Sequence, residues 1–313
     1  MKIISLVPSA TEILCAIGLE DSIYGITHEC NFPTTIKKKK IILSTKINFN
    51  ELNNIEINAL INKNKKNMDS IYILDVDEIR KIQPDYIITQ NLCGACSVTP
   101  EKINKIVSSL KKKPEIITMS PESIEDINKS IIDLSNKLGA PKKGIELVNQ
   151  INSEINNVLS YTKNTVDRPR IFCMDWMNPI FSAGHWIPEM VHIAGGQTME
   201  TKDSGSIKIT FKQLVDFAPN YIFIMPCGYD IERTTNEINL LLENPELNKI
   251  PAFNMGQVYI VNANEYFSKP SHRIVEGIKI ITNAINRERF KYNPSPDAIL
   301  NLQNYIHFES FAG

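Results

Sequence analysis

The sequence predicts an α/β protein of two mostly parallel-sheet lobes joined by a single long helix, with a ligand cleft between the lobes. Three observations carry this. Short apolar runs alternate with amphipathic helical stretches in both halves of the chain, the pattern of parallel sheets covered by helices. Between the halves, from Pro141 to Lys163, apolar residues recur at three- and four-residue steps (Ile145, Val148, Ile151, Ile155, Val158) with Asn, Gln, Glu and Lys between them. That is one helix of about 23 residues, roughly 35 Å long. A chain of 313 residues is also long enough to bury two cores. The expected division is 1–140 as the N-terminal lobe, 141–165 as the bridging helix, 166–290 as the C-terminal lobe and 291–313 as a tail.

Taken in order, Ile3–Val7 reads as a buried strand, and Ser9 or Thr11 as the cap of a helix through Leu14 and Ile17 that stops at Gly18. Ile23–Ile26 is a second strand. Residues 50–67 form a weakly amphipathic helix and Val76–Ile82 a short one. Strand Tyr86–Thr89 leads through a cysteine-bearing loop to a helix near 100–110 and the strand Glu115–Thr118. Helix 122–138 opens with Pro121 at its first position and closes at Gly139. Beyond the long helix come strand Ile171–Met174, helix Pro188–Ala194, helix 210–217, strand Tyr221–Met225, a helix near 232–243, strand Val258–Val261 and helix Ser271–Ile285. The tail packs on a lobe or frays.

Composition narrows the function. Thirty-four basic and 35 acidic residues leave a net charge of −1, so no nucleic-acid partner is indicated. The run Lys37–Lys40 reads as a solvated loop face rather than a polyanion site. The first apolar run is too short for a signal peptide and ends at Pro8, and nowhere do 18 apolar residues run together. The expectation is a cytoplasmic monomer with no membrane insertion; a periplasmic or extracellular location requires that a leader was removed. Six cysteines in a chain of this length do not make a disulfide scaffold.

Open parallel sheets bind ligands beyond the carboxyl ends of their strands. The chemically conspicuous residues fall there in both halves: His28, Glu29 and Cys30 after the second strand, Cys93 and Cys96 after Tyr86–Thr89, Asp175-Trp176 after Ile171–Met174, Cys227 and Tyr229 after Tyr221–Met225, and Tyr266-Phe267 after Val258–Val261. Phe181, His185 and Trp186 precede a helix. Aromatics with a few polar groups suit a flat organic ligand with polar edges. Trp176, Trp186, Tyr266 and Phe267 read equally as packing residues, and Cys15 and Cys173 as small buried hydrophobes.

Cys93 and Cys96 form a lone C-x-x-C, compatible with redox, zinc or iron–sulfur chemistry. Cys30 and His28, from a loop expected on the same sheet edge, would complete a Cys₃His set of metal ligands. Three readings stay open: a zinc or iron–sulfur centre on Cys30, Cys93, Cys96 and His28, a redox-active pair, and thiols without a ligand role. The chain has no G-x-G-x-x-G after a strand, no Walker loop, no H-E-x-x-H and no G-x-S-x-G, so no catalytic residue is nominated.

Several motifs together resemble a known family. They are Ser5-Leu6-Val7-Pro8-Ser9-Ala10-Thr11-Glu12, Gly25-Ile26-Thr27-His28-Glu29-Cys30-Asn31-Phe32-Pro33, Asn178-Pro179-Ile180-Phe181-Ser182-Ala183-Gly184, Ala194-Gly195-Gly196 and Tyr266-Phe267-Ser268-Lys269-Pro270-Ser271-His272-Arg273. Over residues 1–287 the chain resembles the cobalamin- and iron-siderophore-binding proteins of ABC importers, the class III periplasmic binding proteins. Through Cys93, Cys96, Gly184-His185-Trp186 and Pro226-Cys227-Gly228-Tyr229 it is most similar to their leaderless "cobalamin-binding protein" branch. The resemblance implies a non-enzymatic binding protein holding a corrinoid or related metal chelate, with contacts near Cys30-Asn31-Phe32, Trp176, Phe181, His185-Trp186 and Tyr266-Phe267; His28 and Tyr229 join them as strand-end neighbours. It also implies docking on an ABC permease through one acidic residue per lobe. Glu101 fits on the first lobe, whereas the position expected on the second is Lys212, a reversed charge. The alternative is a cytoplasmic metal or cluster protein, or an enzyme, with Cys30, Cys93 and Cys96 as its centre.

Overall fold

The computed structural model describes residues 1–64, 71–90, 100–108, 110–199 and 205–306. Packing divides the chain into two units, Met1–Pro121 with Glu125–Asn149, and Glu122–Ile124 with the residues from Gln150 onward. Each is an α/β lobe with its own six-stranded sheet. The partition falls within the long helix rather than at its ends.

The first half of the chain runs β1 (Ile3–Ser5), α1 (Pro8–Ala16), β2 (Ile23–Thr27), β3 (Lys40–Thr45), α2 (Asn54–Asn64), β4 (Tyr72–Leu74), α3 (Val76–Ile82), β5 (Tyr86–Gln90), α4 (Pro100–Val107), β6 (Glu115–Met119), α5 (Ile124–Lys137) and α6 (Pro141–Thr162). Its sheet has the order β4-β3-β2-β1-β5-β6, and every pairing is parallel except β3 with the edge strand β4. A parallel strand is covered on both faces, so central strands must be apolar throughout. Ile3, Ile4, Ile87 and Ile88 are accordingly buried, with Leu6, Ile42, Leu43 and Ile79 packed in the same core region. Gly25 lets β2 and β3 approach, since a Cβ there would stand 2.3 Å from Ile42 Cγ1.

The second half runs β7 (Ile171–Trp176), β8 (Phe181–Ser182), α7 (Ile187–Ile193), β9 (Ile207–Lys208), α8 (Phe211–Phe217), β10 (Tyr221–Ile224), α9 (Ile231–Asn236), α10 (Asn239–Leu242), α11 (Pro251–Asn254), β11 (Val258–Val261), α12 (Ala263–Tyr266), α13 (Ile274–Ile285) and β12 (Ile299–Asn301). The sheet order is β12-β11-β10-β7-β8-β9. A parallel centre, β7-β10-β11, is flanked by antiparallel strands on both sides. Phe172, Met174, Ile222, Ile224, Val258 and Ile260 line its core.

Several boundaries differ from the sequence expectation for identifiable reasons. The first strand ends at Ser5 because Pro8 occupies the first turn of α1, and neither Ser9 nor Thr11 caps it; the cap residue is Val7, which makes no side-chain capping bond. The helix expected over 50–67 starts later, at Asn54, because Asn53 accepts from the Ile55 and Glu56 amides at 3.0 Å each while Glu56 accepts from the Asn53 amide at 2.9 Å, a reciprocal cap that sets its start; residues 65–67 lie outside the described residues. Pro121 lies before α5 rather than in its first turn; the Ile124 amide is taken by the Glu189 carboxylate at 2.9 Å. The helix expected near 232–243 is two, α9 and α10, and the last begins at Ile274 rather than Ser271. Strands β3 and β4 and the antiparallel strands β8, β9 and β12 add to those the sequence predicts. The start of the tail does not fray: β12 pairs with β11, and Ala298 and Leu302 are buried.

Candidate functional site

In the second lobe β7, β10 and β11 run parallel, so their carboxyl ends open on one edge, and three loops meet there. The Cys227 amide donates to the Asp175 carbonyl at 3.2 Å, the Asn264 amide to the Tyr229 carbonyl at 2.9 Å, and the Gly228 amide to Ser268 Oγ at 3.0 Å. Short helices hold the loops in place, since the Asp230 side chain caps α9 and the Asn262 side chain caps α12. The aromatic residues expected here are thereby brought together.

They sort into a floor and a surface. Trp186 is 4% exposed, and its Nε1–H donates to the Phe267 carbonyl at 2.9 Å; Phe267 and Tyr229 are 2% exposed. These three are packed side chains that support the edge. Trp176, Phe181, His185 and Tyr266 are only partly buried and present ring area at its surface. Trp176 meets Tyr229 edge to face at 5.6 Å, and His185 stacks on Trp186 at 5.7 Å. His185 holds a left-handed backbone (φ 53°) unusual for a residue with a Cβ, at the turn that leads from β8 into α7.

Of the polar groups at this edge the sequence singles out Asp175 by its place at a strand end, but not Arg233 or Ser206. The Arg233 guanidinium lies 3.9 Å from the Tyr229 ring centroid, and Arg273 lies 5.0 Å from that of Tyr266. Arg273 is 8% exposed and ion-paired to Glu265 at 2.5 Å. Ser206 Oγ donates to Asp175 Oδ2. Burial pushes the Asp175 carboxyl up from the usual carboxylate range, against the opposing pull of the Ser206 hydroxyl and the His185 ring. Burial likewise pushes the Tyr229 phenol up to about 12, so it stays neutral. Arg233 was recoverable from its spacing of four from Tyr229 across a helix start. Asp175 and Ser206 are 31 positions apart, and only the fold joins them.

The first lobe presents a different edge. Cys30 is 6% exposed, with its Sγ 3.1 Å from Thr11 Oγ1, and Thr11 Oγ1 donates to Ser5 Oγ at 2.8 Å. His28 Nδ1 lies 3.2 Å from the Leu43 carbonyl and its Nε2 3.0 Å from Glu29 Oε1, so both ring nitrogens have protein partners. Burial works against its charged form, but the Glu29 carboxylate and the Leu43 carbonyl outweigh it and hold the pKa above the ordinary value. Phe32 is 37% exposed. Cys93 and Cys96 lie outside the described residues, as does the side chain of Glu101. Among the described residues no group of three or more His, Cys, Asp or Glu side chains is arranged to hold a metal ion. Lys212 is exposed in the first turn of α8 and paired to Asp216 at 2.6 Å.

Comparison with known proteins agrees with this architecture. The pattern described as "periplasmic binding protein" matches residues 3–265. The chain belongs to the periplasmic binding protein family. Among curated relatives, an uncharacterized ABC transporter substrate-binding lipoprotein, YvrC of Bacillus subtilis (strain 168), is 20% identical over 298 residues, covering 93% of this chain and 81% of that protein. Among solved structures, the periplasmic vitamin B12 binding protein BtuF of Vibrio cholerae superposes with a TM-score of 0.66 at 18% identity, over 91% of this chain and 96% of that one. A periplasmic heme binding protein from Pseudomonas aeruginosa gives 0.70 at 14% identity, over 94% and 95%. At such identities the likeness is one of fold, and the differing ligands in these names show that the family fold does not dictate the ligand.

Proposed function

We propose that this protein is a substrate-binding protein of the ABC-importer type and that its ligand is a corrinoid or a related flat metal chelate. The observation that carries the reading is the carboxyl edge of the second sheet, where Trp176, Phe181, His185 and Tyr266 expose ring area over a packed floor of Trp186, Tyr229 and Phe267. Two guanidinium groups and a hydrogen-bonded carboxyl lie beside these rings. Rings recognise the face of a planar ligand, and charged groups at their margin recognise its polar substituents. The names of the structural relatives, which bind vitamin B12 and heme, support the same ligand class.

Titration calorimetry with cobalamin, cobinamide and hemin tests the proposal. Trp176→Ala removes a partly exposed ring and is expected to weaken binding about three- to tenfold, the equivalent of roughly 0.5–1.5 kcal/mol for an aromatic contact. Absence of heat and of tryptophan quenching with all three compounds at micromolar concentrations would sink the chelate reading.

A further inference from the structure

The amino edge of the first sheet carries a second surface, apart from the site proposed above. Strands β3, β2, β1, β5 and β6 are parallel neighbours, so their amino ends share one edge. Lys37–Lys40 lead into β3, and Lys111, Lys112 and Lys113 lead into β6. The fold therefore places two lysine runs, distant in sequence, along the same edge. They are four strand spacings apart, roughly 19 Å. Lys37, Lys38, Lys40, Lys111 and Lys113 are exposed, and none of them has an ion-pair partner among the described residues. Lys112 is taken by Asp85, which also accepts from the Lys2 amide at 2.7 Å, and Glu115 is taken by Lys137 at 2.5 Å. Asp85 thereby offsets Lys112 alone, and Lys137 offsets Glu115, which leaves the five exposed lysines to set the charge of the edge.

Apolar side chains stand beside the first run. Tyr24, second in β2, is 43% exposed, and Ile41, second in β3, is 50% exposed. Ile41 pairs with Ile26, two residues beyond Tyr24, so Tyr24 and Ile41 share a face of the sheet. Lys2 Nζ lies 5.4 Å from the Tyr24 ring centroid.

We infer that this edge is a docking surface for an anionic phospholipid bilayer. Lysines attract acidic headgroups, and a tyrosine and an isoleucine among them have an apolar interface to enter. Glu20 and Asp21 precede β2 and separate the lysines into two basic islands. A continuous polyanion such as a nucleic-acid backbone would have to cross those carboxylates. A fluid headgroup layer instead gathers acidic lipids under each island and neutral ones between. The islands are separated by more than twice the screening length at physiological salt, about 8 Å, so each acts by its own contact and their effects multiply.

The test is sedimentation of the full chain with phosphatidylcholine vesicles made with and without phosphatidylglycerol, at low and physiological salt. The protein is expected to pellet with the acidic vesicles alone, and salt is expected to weaken the association. The variants Lys37→Glu/Lys38→Glu/Lys40→Glu and Lys111→Glu/Lys113→Glu are each expected to lower the partition coefficient at least about tenfold, and their combination to multiply the losses. All five positions are exposed, so unchanged circular dichroism and thermal unfolding are expected as the folding control. Tyr24→Ser/Ile41→Ser should weaken the association that persists at physiological salt. Equal binding to neutral vesicles, no binding at low salt, or retention by both charge-reversed variants overturns the inference. Equally tight binding of a DNA duplex, lost with the same substitutions, also overturns it in favour of a general polyanion surface.

Discussion

Gly277→Ala perturbs the candidate site from beneath, through the backbone that carries Tyr266 and Phe267. Gly277 is buried in α13, where an added Cβ would stand 2.5 Å from the Tyr266 carbonyl oxygen, 2.6 Å from Met190 Cε and 3.0 Å from Phe267 Cε1. The methionine methyl can swing aside, but the carbonyl belongs to the backbone where α12 ends, so α12 and α13 must separate by about 0.9 Å to bring the 2.5 Å approach to an ordinary contact of 3.4 Å. Alanine favours a helix over glycine by about 1 kcal/mol. Overpacking a tight contact costs about 1–3 kcal/mol, and a rigid backbone partner puts this case at the upper end. The expected outcome is a net destabilisation of about 2 kcal/mol, read as a lower urea midpoint with an unchanged slope. The displaced segment carries Tyr266 and the Phe267 carbonyl that accepts from Trp186, so chelate affinity should fall as well. A midpoint equal to or above that of the unsubstituted protein would refute the reasoning, because helix propensity would then have outweighed the contact.

Two further outcomes follow from buried polar groups in the same lobe. His272 has its pKa lowered to about 4 from 6.5, by burial and then by the neighbouring Arg273 charge, and its Nδ1 is buried without a hydrogen-bond partner among the described residues. Between those values the unfolded chain binds the proton and the folded chain does not, so stability is complete above the unfolded pKa and falls as pH drops towards 4, by at most about 3 kcal/mol. His272→Gln should flatten that part of a stability–pH profile, and an unaltered acid limb would count against it. Trp186→Phe removes the bond to the Phe267 carbonyl and leaves that acceptor buried; urea unfolding should show a loss of about 1–3 kcal/mol, whereas no loss would make Trp186 a surface residue rather than part of the floor.

The sequence alone determined the two-lobed α/β plan, because burial on both faces of a parallel strand forces continuous apolar runs such as Tyr221–Ile224 and Val258–Val261, and a helix of 22 residues shows its 3.6-residue period whatever surrounds it. It also put aromatic residues at the ends of parallel strands, and such ends gather on one edge wherever the strands lie in order. Tertiary structure decided which rings are floor and which are surface: Trp176 and Trp186 look alike in sequence, yet Trp186 is buried with its Nε1–H on the Phe267 carbonyl and Trp176 is only partly buried. The antiparallel strands β4, β8, β9 and β12 escaped notice because runs of two or three residues have no period of their own and exist only through their partners. The same limit hid the Asp175–Ser206 bond and the lysine edge. Charges and hydrogen-bonding groups carry no mark of which distant segment they will meet, and strand order, which brings them together, is a property of the whole sheet.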